Sequence, residues 1–205
     1  MGIGADELNA ALDALALREA RLAEALARTG YPDPRIRERG WRTMLRTIVG
    51  QQVSVAAANS IWRKLEGTLG EDLSPEGLLA AEFDALRACG LSRQKQDYAR
   101  SLCALVSAEE LDFDALPADD EEAIAQLTRI KGIGRWSAEI YLLFAEGRPD
   151  IWPAGDLAVQ AGIGRILGLA ERPSEKQTRA LAEGWRPYRG AAAIFTWHCY
   201  NNAAL

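Results

Sequence analysis

Apolar residues recur at helical spacing along almost the whole chain, Ala and Leu dominate, and no run alternates Val, Thr or Tyr with polar residues. This pattern predicts an all-α fold. A first helix is expected from about Asp6 to Arg28, ending at "TGYPDPR", where Gly30, Pro32 and Pro34 stop continuation. A second is expected through "RERGWRTMLRTIVG" to about Gly50, and a third over "SVAAANSIWRKLEGTLG", with Ser54 as N-cap and Gly70 closing it. "SPEGLLAA" and "FDALRACG" read as short helices, and "SRQKQDYARSLCALVSAEEL" as a longer one starting at Ser92. "DDEEAIAQLTRI" carries acidic residues where a helix dipole favours them. The remaining helical patterns are "DLAVQAGIGRILGL" and "SEKQTRALAEGW", continuing after Pro187 into "YRGAAAIFTWHCYNN".

Composition narrows the chemistry. The 205 residues suffice for one large domain or two small lobes, and no run approaches the roughly 20 apolar residues of a membrane span. The acidic N-terminal segment has no basic region and reads as an amphipathic helix, not a signal peptide, which places the protein in the cell interior. Three cysteines at wide, irregular gaps (Cys89, Cys103, Cys199) and a single histidine, His198, make neither a disulfide framework nor a zinc ligand set. They read as small buried residues. Catalysis therefore falls to carboxylates, backbone groups or aromatics. A net charge of −5 argues against holding nucleic acid by bulk electrostatics, although a local basic face remains compatible.

Three stretches carry candidate chemistry. In "RIKGIGRWSAEIYLLF", two glycines form a tight turn between helices, permit positive φ, and leave amides at a helix start that suit an anion such as phosphate. Taken alone, the same glycines are explained by a C-cap and a turn. In "DIWPAGDLAVQAG", Asp156 follows a Pro-Ala-Gly turn and is placed to open a helix, where an N-cap role accounts for it equally well. "IVGQQVS" sets two amides at a break between helices. A second Gly-Ile-Gly, at Gly162 to Gly164, lacks the flanking pattern of the first and reads as coincidence.

Together, "LTRIKGIGRWSA", "PAGDLAVQ" (Pro153 to Gln160), "IVGQQVS" (Ile48 to Ser54) and "GLSRQK" (Gly90 to Lys95) resemble the helix-hairpin-helix DNA glycosylases, and most of all their 3-methyladenine DNA glycosylase II branch. The resemblance runs from about Trp41 to the C-terminus. It implies one catalytic unit over residues 1–205, a two-lobed helical bundle with the active-site cleft between the lobes and the hairpin at about 120–145. The N-terminal β domain of larger members has no room here.

By the same resemblance, Asp156 is the catalytic carboxylate. Trp136 and Trp197 wall the substrate pocket, with Ile140 and Leu157 at positions where a member of the branch has tyrosines, while Trp41, Trp62 and Trp185 are assigned to the core. Gly132, Gly134 and Ser137 hold DNA phosphate, helped by Lys131, Arg135, Arg93 and Lys95. Carbonyls of Thr128, Ile130 and Ile133 surround a monovalent cation, Na+ or K+. Gln52, with Gln51 beside it, plugs the gap left by a flipped nucleotide. Trp136 stands where lyase-competent relatives carry lysine, which implies a monofunctional hydrolase. Cys199 alone cannot replace the four cysteines of iron–sulfur relatives, so no cluster is expected. The partner implied is double-stranded DNA with alkylated bases, met by a monomer in the cytoplasm of a bacterial-type cell, at its nucleoid. Two other readings remain open: a glycosylase for oxidised or mismatched bases, and a noncatalytic DNA-binding hairpin.

Overall fold

The computed structural model describes residues 2–70 and 73–202, and among these all regular structure is helical. The α-helices are α1 (Ala5–Ala16), α2 (Ala20–Thr29), α3 (Trp41–Gly50), α4 (Val55–Leu69), α5 (Pro75–Ala80), α6 (Phe83–Ala88), α7 (Arg93–Ser107), α8 (Asp120–Leu127), α9 (Arg135–Tyr141), α10 (Leu157–Leu167), α11 (Glu175–Leu181) and α12 (Arg189–Asn201). A π-helical turn, Leu142–Glu146, extends α9, and a 3-10 turn, Glu183–Trp185, precedes α12. The chain forms two compact units, one of Met1–Glu38 with Glu139–Leu205 and one of Arg39–Ala138.

The caps follow the sequence. Ser54 accepts from the Ala57 amide, Ser92 from Lys95, and Asp119 from Glu121 and Glu122, so side-chain oxygens satisfy amides that have no intrahelical acceptor. Gly70 closes α4 at φ 55°.

Several expected boundaries move. The single helix from Asp6 to Arg28 is two, because Glu19 caps a new start and Arg18 turns away, donating to the Arg186 carbonyl at 3.0 Å with its guanidinium 5.4 Å from the Tyr188 ring centroid. The second expected helix begins only at Trp41, since Gly40 at φ 112° is incompatible with helix. The fourth long pattern stops at Ser107, and the helical segments around Pro187 are separate elements.

In the first unit α10 packs on α12, and its glycines explain the second Gly-Ile-Gly. A Cβ on Gly162 would come within 2.7 Å of the Thr196 carbonyl oxygen, so Gly162 serves close helix packing, whereas a Cβ on Gly164 would meet Pro173 Cδ at 3.3 Å in the loop after α10. Trp152 and Trp185 meet edge to face at 5.8 Å, and the Trp152 indole donates to the Thr178 carbonyl at 3.0 Å. In the second unit α7 packs on α3 and α5 around Met44, Leu45, Ile48, Leu78, Ala99 and Leu102. Trp62 and Trp185 are core as expected, while Trp41 is half-buried, its ring 5.7 Å from the Arg42 guanidinium. The cysteines are buried and unpaired, and burial pushes the thiols of Cys103 and Cys199 up to about 12 and about 11.

Candidate active site

Asp156 is the N-cap of α10, and its position rests on several independent bonds within the first unit. Its Oδ1 accepts from the amides of Ala158 at 2.8 Å and Val159 at 2.9 Å, the usual work of an N-cap. The same oxygen accepts from the Trp197 indole Nε1 at 3.2 Å, which capping does not require. The turn that presents it is held as well. The Asp156 amide donates to the Pro153 carbonyl at 2.9 Å, the buried Gln160 side chain donates to the Ala154 carbonyl at 2.9 Å, and the Glu175 carboxylate lies against Gly155. Arg179 bridges Glu175 and the buried Glu139. Upstream, Arg189 forks onto both oxygens of Asp150 at 2.8 Å, tying the loop before Asp156 to the start of α12.

The surroundings are aromatic and aliphatic. Trp197 is 8% exposed and its ring lies tilted against Phe144 at 5.6 Å and 35°, while Leu157, directly after the carboxylate, is 61% exposed. Ile140 is buried to much the same degree as Trp197. Phe144 and Gln160 are site residues that sequence reasoning missed. Phe144 sits in the π-helical turn, a local departure that often marks functional positions, but its signal is lost within the apolar run "IYLLF". Gln160 lies within the "PAGDLAVQ" motif, and its burial is what distinguishes it from a surface glutamine.

The hairpin belongs to the second unit and joins α8 to α9. Gly132 has φ 79°, and a Cβ there would overlap the Tyr98 ring. Gly134 departs from expectation: its φ is not positive, and a Cβ would find nothing within 4 Å. The turn closes through Ile133 N to Ile130 O at 3.1 Å, and Ala138 N donates to Gly134 O at 3.1 Å as α9 begins. The amides of Gly134 to Ser137 thus precede the helical ladder. Trp136, at the head of α9, is 47% exposed, and Ser137 is buried. Arg135 is bound by Glu121 through both terminal guanidinium nitrogens, at 2.7 and 2.5 Å, which offsets the local charge expected of it. Lys131 is exposed, and its amide donates to Ser101 Oγ at 3.1 Å.

Gln51 and Gln52 divide in role. The Gln51 side chain donates to the Gly132 carbonyl at 2.9 Å, whereas Gln52 is exposed at φ 55°. A non-glycine residue in that region carries about 1 kcal/mol or more of strain, and such strain clusters at functional sites. Lys95, expected to supplement phosphate binding, instead donates from Nζ to the Val49 carbonyl at 2.7 Å, and burial lowers its pKa. Among the described residues, no group of His, Cys, Asp and Glu is arranged to hold a metal ion, and no helix is long and apolar enough to cross a membrane.

The chain is 32% identical over 164 residues to DNA-3-methyladenine glycosylase 1 of Schizosaccharomyces pombe, covering 77% of this chain and 71% of that protein. Its structure is similar to that of the S. pombe 3-methyladenine DNA glycosylase in complex with abasic DNA, with TM-score 0.81, 27% identity, and coverage of 95% and 98% of the two chains. It is also similar to a DNA-3-methyladenine glycosidase from Bacillus halodurans, with TM-score 0.86, 30% identity, and coverage of 94% and 89%. The family model for the HhH-GPD superfamily base excision DNA repair proteins matches residues 45–187, a span that holds the Gln51–Gln52 break, the glycine hairpin and Asp156. With that match covering more than half of its length, the chain belongs to the HhH-GPD superfamily of base excision DNA repair proteins.

Proposed function

We propose that this protein is a monofunctional DNA glycosylase that removes alkylated purines of the 3-methyladenine and 7-methylguanine type. The observation that carries the reading is the Asp156 carboxylate, fixed through one oxygen by two α10 amides and an indole N–H. An N-cap needs the amides alone; the indole donor indicates that the carboxylate's orientation matters. In a flipped nucleotide, the C1′–N bond breaks with its electron pair leaving on the purine, and positive charge develops on the deoxyribose. A preoriented carboxylate beside C1′ stabilises that charge, and it takes the proton of the water that adds to C1′. A purine alkylated at N3 or N7 is cationic and departs neutral, so no general acid is required. Trp197 and Phe144 supply an aromatic floor beside Asp156, and Trp136 offers an exposed ring for stacking and cation–π attraction, worth about 0.5 to 2 kcal/mol.

DNA is held through its backbone by the hairpin amides around Gly134, which suits an acidic chain because oriented dipoles replace a field of lysines. The carbonyls of Thr128, Ile130 and Ile133 suit a monovalent cation by donor type: all are neutral oxygens, and Ile130 O keeps a lone pair beyond its bond from Ile133 N. Such a cation would lend positive charge toward a phosphate. The protein acts as a cytoplasmic monomer, with Gln52 filling the gap left by the flipped base.

Duplexes each bearing one lesion test the reading. Base release from 3-methyladenine or 7-methylguanine DNA is expected, leaving abasic sites that break only after alkali or heat. An abundant adduct trapped by borohydride would overturn the monofunctional assignment, and preferential release of oxidised bases would overturn the substrate class. The glycines separate turn from clamp. Gly132→Ala is expected to lower stability by about 2 kcal/mol or more in thermal or denaturant melts, from positive φ and overlap with Tyr98. Gly134→Ala has open space and is expected to stay within about 1 kcal/mol of wild type. Its affinity for abasic DNA is nevertheless expected to fall, because the methyl stands where the phosphate approaches; unchanged affinity would place the grip elsewhere.

A further inference from the structure

The "GLSRQK" stretch has a clear motif and no role in the chemistry above, and its lysine is turned inward. Along one face of α7, residues three apart hold two backbone segments, the end of α3 and the glycine hairpin. Lys95 Nζ donates to Val49 O at 2.7 Å at the C-terminal end of α3, where the ammonium also meets the negative end of the helix dipole. Tyr98 covers Gly132, and Gln94 Nε2 donates to its hydroxyl at 2.5 Å. Ser101 Oγ accepts the Lys131 amide at 3.1 Å. Gln51, the first residue after α3, closes the ring by donating to Gly132 O at 2.9 Å.

We infer that Lys95 and Gln51 are positioning residues that lock the Gln51–Ser54 loop and the glycine hairpin into one rigid piece. The inference rests on the proposed reading, in which that loop and that hairpin are the two segments that meet DNA at the flipped nucleotide. Lys95 fixes where α3 ends, and hence where the loop starts. Gln51 orients the Gly132–Ile133 peptide and ties it to the residue beside strained Gln52. Tyr98 and Ser101 hold the other side of the turn. Lys95 therefore spends its charge on the protein backbone and does not contribute a phosphate contact.

Lys95→Met and Gln51→Ala, separately and together, test this in the full chain. Each is expected to lower excision of 7-methylguanine from duplex DNA about 10- to 100-fold, the scale of a small displacement near a reacting centre. The salt dependence of binding to an abasic-analogue duplex distinguishes the roles. Lys95→Met is expected to keep the wild-type slope of log K against log[salt], whereas a lost phosphate contact would reduce it by about 0.9. The double variant is expected to be little worse than the more severe single one, since both break the same link. Hydrogen exchange at amides 51–54 and 131–134 is expected to quicken together in either variant. A slope reduced by about 0.9, additive losses, or quickened exchange confined to one segment would overturn the inference. If Lys95→Met does not fold, Gln51→Ala alone decides, because its half-exposed side chain leaves the core intact. Should wild-type protein fail to excise any lesion, the functional reading falls, and the exchange experiment still tests the lock.

Discussion

Asp156→Asn is expected to reduce base excision by about 10² or more while melting temperature and affinity for abasic-analogue DNA stay near wild type. The substitution is unusually clean here. The asparagine carbonyl can still accept from the Ala158 and Val159 amides and from the Trp197 indole, and asparagine is as good an N-cap as aspartate. What disappears is the negative charge, so the change isolates electrostatic stabilisation from folding. Asp156→Ala is a poorer probe: it is expected to cost about 1 kcal/mol for the cap and a further ~1 to 3 kcal/mol for a buried indole N–H left without its acceptor. Near wild-type excision by folded Asp156→Asn would remove Asp156 from the chemistry.

The second large effect is expected at Trp197, in two separable parts. Trp197→Ala removes a buried indole packed against Phe144 and should lower stability by about 3 to 5 kcal/mol, enough to obscure any catalytic reading. Trp197→Phe keeps an aromatic body but deletes the donor to Asp156. It is expected to lower excision about tenfold or more, in line with losing a hydrogen bond to a charged group, with a much smaller change in melting temperature. Loss in kcat per active site, with sites titrated by an abasic-analogue duplex, and little change in KM is the signature to look for, since a merely structural defect lowers the number of active sites and leaves kcat per site unchanged. Stacking on the substrate is better probed at half-exposed Trp136. Trp136→Ala is expected to weaken excision of cationic purines more than binding to an abasic analogue, and equal losses would assign the ring to structure.

Much of this was legible in the chain because local rules and local structure coincide. Helical spacing marked the helices, and Ser54, Ser92 and Asp156 lie at caps because a side-chain oxygen at that position satisfies amides only a few residues away. The order of "GQQVS", the glycine hairpin and "PAGD" marked the family, since each motif is a short segment whose chemistry is carried within itself. The hairpin's left-handed glycine was likewise foreseeable, although which of the two glycines needs it was not.

What tertiary structure alone decided concerns partners distant in sequence. The break between α1 and α2 depends on Arg18 finding Arg186 and Tyr188, the inward turn of Lys95 on the carbonyl of Val49, and the bareness of Gly132 on the ring of Tyr98. Helical spacing reports which face of a segment is apolar and says nothing about which donor or ring lies opposite. Asp156 marks the difference most plainly. Its capping bonds to Ala158 and Val159 are local and were readable, but the indole that suits it to more than capping comes from Trp197, at the far end of the chain, and is brought there only by the packing of α10 on α12.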